Sequence, residues 1–211
     1  MTMSKNKKVC GVDEAGRGSL IGPMVLAGVL FNKSTKATFR RLGVKDSKLL
    51  SKKRREELYK KIIDKVEYKI ILISPKAIDK AVTGKYSTLN TLEAEKTIEI
   101  VENLKPSRVI IDCPSVNIAK YKKQMQTHLN SKVQLVPKHK ADLNYIEVAA
   151  ASILAKVTRD REIIKIKKKY KIEFGSGYPA DSRTVKFLKE CKGNYPIFRK
   201  SWATWKRFIQ N

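Results

Sequence analysis

"RVIID", Arg108–Asp112, places three consecutive apolar residues between an arginine and an aspartate. A run with no polar alternation belongs to a strand covered on both faces, in the buried middle of a sheet flanked by helices. Val9–Val12 ("VCGV") reads as a second short strand, and it too runs into acid, Asp13 and then Glu14. "GPMVLAGVLF" (Gly22–Phe31) is a third, close enough to pair with the second as a hairpin. "VEYKIILIS" (Val66–Ser74, ended by Pro75) and "KVQLVP" (Lys132–Pro137) complete the strands. Helix is expected over Ser51–Lys65, where Ser51 caps an apolar stripe of Leu58, Ile62 and Ile63. A second helix spans Ser87–Lys105, with Leu89, Leu92, Ile98, Val101 and Leu104 inward and Pro106 beyond it. Others lie around Ile118–Leu129, from Asp142 through a long segment to Tyr170, and over Arg183–Cys191 and Trp202–Ile209. This order of elements predicts an α/β sandwich with a mixed sheet, and 211 residues suffice for one large domain with or without a small appendage.

Charge narrows the partners. Lysine and arginine total 46 against 20 acids, a formal net charge of +26. Such an excess suits a polyanion, nucleic acid first and a membrane surface second, or else a lysine-rich surface tuned for solubility or heat. No apolar stretch approaches the roughly 20 residues of a membrane span, and "MTMSKNKK" carries no hydrophobic signal region. Cys10, Cys113 and Cys191 are odd in number, far apart and without zinc spacing, which points to a reduced, cytoplasmic chain.

Against that charge the acids stand out. Asp13 and Asp112 each end a buried strand, and Asp142 sits at a helix N-terminus just past the last strand. Sites in open α/β sheets gather at the carboxyl ends of strands, so three distant carboxylates can converge there. Like charges brought together need a cation between them, and hard divalent magnesium or manganese prefers oxygen ligands. Taken singly, each acid reads equally well as a cap or turn residue. Two of them, each directly following buried apolar residues, do not. Neighbours on a strand point to opposite faces, so Glu14 joins Asp13 at a cation only if the strand ends at Asp13, a break that "AGRG" is expected to supply.

"GVDEAGRG" (Gly11–Gly18), "KDSKLLS", "IIDCPS", "HKADLNYIEVAAASILAKVTRD", "SGYPAD" and "FRKSWATW" occur in that order over Val9–Trp205. Together they resemble ribonuclease HII, the type 2 ribonuclease H family, the last motif being similar to its archaeal and eukaryotic branch. The resemblance implies an α/β, ribonuclease H-like fold: a mixed five-stranded sheet flanked by helices, with a helical C-terminal extension. It divides the chain into a catalytic body over 1–170 and an extension over 171–211. It implies endonucleolytic cleavage of RNA in RNA–DNA hybrids, and cleavage 5′ to single ribonucleotides embedded in duplex DNA, leaving 3′-hydroxyl and 5′-phosphate ends. The family's four catalytic acids match Asp13, Glu14, Asp112 and Asp142, which would hold two divalent ions, Mg2+ or Mn2+, with Asp13 bridging. Gly16, Arg17 and Gly18 match the loop that reads the ribose 2′-hydroxyl, and Tyr178 matches a tyrosine lying against the sugar next to the ribonucleotide.

Motif position also makes Arg17, Lys45, Lys48 and Lys140 phosphate contacts. Ser152 reads either as facing the substrate backbone or as a small residue for close helix packing. His139 reads as a structural loop histidine, with proton transfer or metal binding as the alternative. Asp46 is expected to order its loop, and Asp160 to face a charged helix surface. The competing classes are a basic nucleic-acid-binding module without catalysis, which would gain by losing its acids, and a different nuclease or strand transferase, which has no evident use for Tyr178 beside a glycine-arginine-glycine loop. A monomer is the default. "TWKRFIQN" holds no clear sliding-clamp peptide, which leaves that partner open.

Overall fold

The structure is a computed structural model that describes residues 8–85, 87–129, 133–191 and 195–209. Strands β1 (Val9–Ala15), β2 (Met24–Phe31), β3 (Glu67–Ile73), β4 (Arg108–Asp112) and β5 (Gln134–Lys138) form one sheet in the order β3-β2-β1-β4-β5. β2 pairs antiparallel with both β1 and β3, whereas β1, β4 and β5 run parallel, so the sheet is mixed. Lys132, expected to begin β5, lies outside the described residues. The helices are α1 (Lys33–Arg41), α2 (Lys52–Lys65), α3 (Pro75–Thr83), α4 (Leu89–Leu104), α5 (Ile118–His128), α6 (Ala141–Asn144), α7 (Ile146–Tyr170), α8 (Ser182–Glu190) and α9 (Ala203–Ile209), with a 3-10 turn at Ser47–Leu49.

The apolar runs have two faces to fill. Val25, Ala27, Val29 and Phe31 of β2 pack with α1, α2 and the alanine-rich start of α7, while Met24, Leu26 and Leu30 pack with α3, α4 and α5. That two-sided burial is why β2 shows no polar alternation. α7 lies flush on β1 at Gly11, where a Cβ would stand 2.1 Å from the backbone carbon of Glu147. Only glycine permits that approach. A third cluster joins the C-terminal segment to the body: Leu188, Ile197 and Phe198 pack with Leu20, Ile21, Ile163 and Phe174.

Three expectations are corrected. α1 and α3 were not foreseen. α1 buries only Phe39, which leaves no apolar stripe to read, although Asn32 caps it through Thr35. Pro75 stops β3 but also occupies the first turn of α3 behind the Ser74 cap, a position where proline's fixed φ suits a helix. Asp142 does not open the long helix. It sits in one-turn α6, and extended Tyr145 (φ −124°) separates α6 from α7. The third correction, the end of β1, belongs to the site. Cys10 and Cys113 are buried, and none of the three cysteines forms a disulfide. No helix among the described residues is long and apolar enough to cross a membrane.

Candidate active site

The parallel ladder between β1 and β4 ends at Val12 opposite Ile111. The next residues on the two strands are Asp13 and Asp112, side by side where the ladder stops. Asp142 reaches them from α6. Lys140 adopts a left-handed conformation (φ 53°) that turns the chain from β5 into α6, and the freed Ala141 amide donates to Asp112 Oδ1 at 2.8 Å. Oxygens of Asp13, Asp112 and Asp142 all lie within 4.8 Å of one another. Asp13 and Asp142 are buried and Asp112 half-buried. The Glu14 amide donates to Asp13 Oδ1 at 2.7 Å, and Lys48 Nζ to Asp142 Oδ2 at 3.3 Å.

β1 does not break at Asp13. Its pairing with β2 continues through Glu14 and Ala15, so the pleat turns Glu14 to the opposite face. Asp13 follows the side of Ala15 and α7; Glu14 follows Cys10 and Val12, toward α4. Glu14 thus stands outside the close trio, near Glu93 and Arg17, while still lining the same cleft. Arg17 points to α4 as well. Its Nε donates to Glu93 Oε1 at 2.9 Å and one Nη to Asn90 Oδ1 at 2.7 Å, which commits the guanidinium to the protein rather than to open solvent.

Crowding acids in a dry place raises their affinity for protons. Burial, then Asp112 and Asp142, push Asp13 up to about 8, against the opposing Glu14 amide. Burial and the charges of Asp13, Glu93 and Asp112 hold Glu14 well above the carboxylate range. Burial lifts Glu93 to about 7 although Arg17 opposes it. Asp112 is raised by burial against the Ala141 amide. Burial works against charge on Lys48, but Asp142 and Asp46 outweigh it, and its ammonium is held above the ordinary value. Three carboxylates within 4.8 Å of one another, two of them with raised proton affinity, fit a divalent cation, which relieves their mutual repulsion.

Asp13 and Asp112 open on a cleft of about 450 Å³ whose walls include Glu14, Gly16, Arg17, Gly18, Lys48, Ser152 and Tyr178; Asp142 is not among those walls. Seven of the residues singled out in the sequence therefore share one cavity with Asp13 and Asp112. Ser152 lies beside Asp13, whose proton affinity it lowers, and shares a 2.7 Å hydrogen bond with Ser47 of the Lys48 turn, so it ties α7 to that turn. Asp46 caps the turn through the Lys48 amide, as expected, and Asp160 pairs with Lys156. Lys45 and Lys140 are exposed and are not among the cleft walls; Lys140 contributes its turn. His139 is exposed, with Nδ1 3.2 Å from the Cys113 carbonyl. Ser47 and Lys156 also line the cleft, and buried Glu93, Arg159 and Arg199 stand behind it. Sequence reading missed these five. Glu93 was legible as a charge in line with Thr97, Ile100 and Leu104 on the inner face of α4, and Arg159 as a continuation of the Ser152–Ala155 face of α7.

The family model for ribonuclease HII matches residues 10–205. The chain is 43% identical over 204 residues to ribonuclease HII of Pyrococcus horikoshii, covering 93% of this chain and 90% of the relative. The crystal structure of ribonuclease H2 from Pyrococcus horikoshii OT3 superposes with a TM-score of 0.85 at 41% identity, over 97% of this chain and all of that one (100%). The RNase HII of Archaeoglobus fulgidus, solved in a complex with PCNA, superposes with a TM-score of 0.84 at 40% identity, over 92% and 94% of the two chains.

Proposed function

The chain belongs to the ribonuclease HII family, and on that premise we propose that it hydrolyses the RNA strand of RNA–DNA hybrids and also cuts 5′ to single ribonucleotides embedded in duplex DNA. The family's enzymes are metal-dependent nucleases that cleave RNA of RNA–DNA hybrids. The observation that carries the finer reading is one cleft that contains Asp13, Glu14 and Asp112, both loop glycines and Tyr178. Asp13, Asp112 and Asp142 would hold two divalent ions, Mg2+ or Mn2+, with Asp13 shared between them. Ions so held supply an activated water and charge cover for the phosphate and its leaving oxygen. Glu14, on the other side of the pleat, acts from the second face of the strand end, consistent with its place in the same cleft. Lys48 and Lys156 offer cations to the flanking phosphates. Backbone at Gly16 and Gly18 approaches the ribose; a Cβ at Gly18 would meet nothing in the protein within 4 Å, so the space beside it is free for a ligand. Tyr178 lies against the following deoxyribose.

The same reading keeps 1–170 as the catalytic body and 171–211 as an extension, packed on Leu20 and Ile21 just beyond the glycine loop. The enzyme works as a cytoplasmic monomer, and the likeness to the Archaeoglobus protein makes a sliding clamp a candidate partner. A DNA duplex carrying one ribonucleotide, incubated with Mg2+ or with chelator, tests the reading. Cleavage 5′ to the ribonucleotide, giving 3′-hydroxyl and 5′-phosphate ends only with metal, is expected. Equal cutting of an all-DNA duplex, or cutting in chelator, would overturn it.

A further inference from the structure

Gly16 and Tyr178 come from distant parts of the chain, and one buried side chain touches the loops of both. We propose that Arg159 is a positioning residue: it locks the Tyr178 ring and the Gly16 loop into one unit, and so sets how strongly a ribose–deoxyribose junction is preferred over continuous RNA. The inference rests on the junction role of Tyr178 proposed above and deepens it.

Arg159 rises from the middle of α7 and is 1% exposed. Its Nη2 donates to the Ser176 carbonyl at 3.1 Å, and its Cζ lies 4.5 Å from the centroid of the Tyr178 ring. Its stem presses on the glycine loop from below, where a Cβ at Gly16 would stand 2.4 Å from Nε and 2.6 Å from Cδ. Gly16 (φ 87°) and Gly177 (φ 81°) both adopt the left-handed conformation around it. Arg199 holds the next residue of the loop, donating from Nη1 to the Arg17 carbonyl at 2.8 Å.

As core filler, Arg159 is a poor choice. It makes no ion pair among the described residues, and its buried Nε has no hydrogen-bond partner. A buried cation so weakly compensated is costly, and an apolar side chain of similar length would pack at less cost. What an apolar chain lacks is a planar guanidinium that stacks on a ring while its fork holds a carbonyl. With one face of Tyr178 against Arg159, the half-buried ring is fixed and its remaining surface lines the cleft. A recognition group held in one orientation loses less freedom when substrate arrives.

A double-mutant cycle separates positioning from filling. The observable is the ratio of kcat/KM on a duplex with a single ribonucleotide to kcat/KM on a continuous hybrid, measured with Mg2+; general damage cancels in this ratio. Arg159→Met should lower it by about three- to tenfold, the range of a partly buried cation–ring contact. In a Tyr178→Ala background the same change should have almost no further effect, because coupled residues are not additive. Arg159→Lys keeps a cation without the planar fork and should fall between; if Arg159→Met does not fold, the cycle is run with Lys. An unchanged ratio, or the same factor in both backgrounds, overturns the positioning role. If Tyr178→Ala itself leaves the ratio unchanged, the junction role of Tyr178 fails instead, which is a different result.

Discussion

Asp13 has the most unfavourable electrostatic position among the three clustered acids. It is buried beside Asp112, and its carboxyl keeps a proton up to about pH 8, whereas an unfolded chain releases it near the ordinary value of 3.8. A folded-state value raised in this way contributes stability at low pH, and that contribution is lost as pH rises through about 8. Asn at this position has no such cost. In chelator, Asp13→Asn should therefore melt higher than the parent by a margin that widens by at least about 2 °C between roughly pH 5 and pH 9. Mg2+ should raise the melting temperature of the parent more at the higher pH and change the variant little. Cleavage by Asp13→Asn should fall at least about a hundredfold while hybrid binding is kept. A margin that narrows with pH, or near-normal turnover, would contradict a cation-relieved carboxylate cluster.

Among the elements, contact between β1 and α7 brings the acids of one strand to the helix that carries Ser152 and Arg159. It depends on Gly11, whose hypothetical Cβ meets Glu147 backbone at 2.1–2.3 Å, with no flexible side-chain end to move aside. Gly11→Ala should cost about 1–3 kcal/mol or more, shift α7 from β1, and take activity with it. Gly18→Ala is the contrast. A Cβ there meets nothing within 4 Å, so melting should change by no more than about 0.5 kcal/mol in stability. Its cleavage of hybrid should nevertheless fall, because the methyl enters space left for the sugar. Thermal melts and hybrid cleavage on the two variants distinguish a glycine required by the fold from one required by substrate. Equal stability losses in both would remove the distinction.

For the molecule as a whole, a net charge of +26 surrounds a cleft whose floor is acidic. The basic surface attracts the polyanion, and the acids accept it only once cations cover them. Binding of a hybrid or DNA duplex should weaken with salt, log affinity falling by about 0.9 per decade of salt for each phosphate neutralised, with Lys48→Ala lowering the slope by about one. Filter binding across a salt series measures it. A flat dependence would make the charge a matter of solubility.

The five strands, and Asp13 and Asp112 at the ends of two of them, could be read from the sequence because each signal is local: an apolar run, and an acid directly following it. Adjacency alone could not say where Glu14 points. That depended on β1 pairing with β2 through Ala15, since pairing preserves the pleat and the pleat sends neighbouring acids to opposite faces. The break after Asp142 escaped for a related reason: a single extended residue, Tyr145, ends α6 inside a pattern that otherwise reads as continuous helix. The partners of the glycine loop lie farther away still. Glu93 takes the Arg17 side chain from 76 residues along, and Arg199 reaches the Arg17 carbonyl from 182 residues along. Charge alone marks such residues as ordinary surface ones, and only the register of Glu93 on the inner face of α4 hints otherwise. Only the packing of α4, α7 and the C-terminal segment around one strand end removes them from water and makes them part of the site.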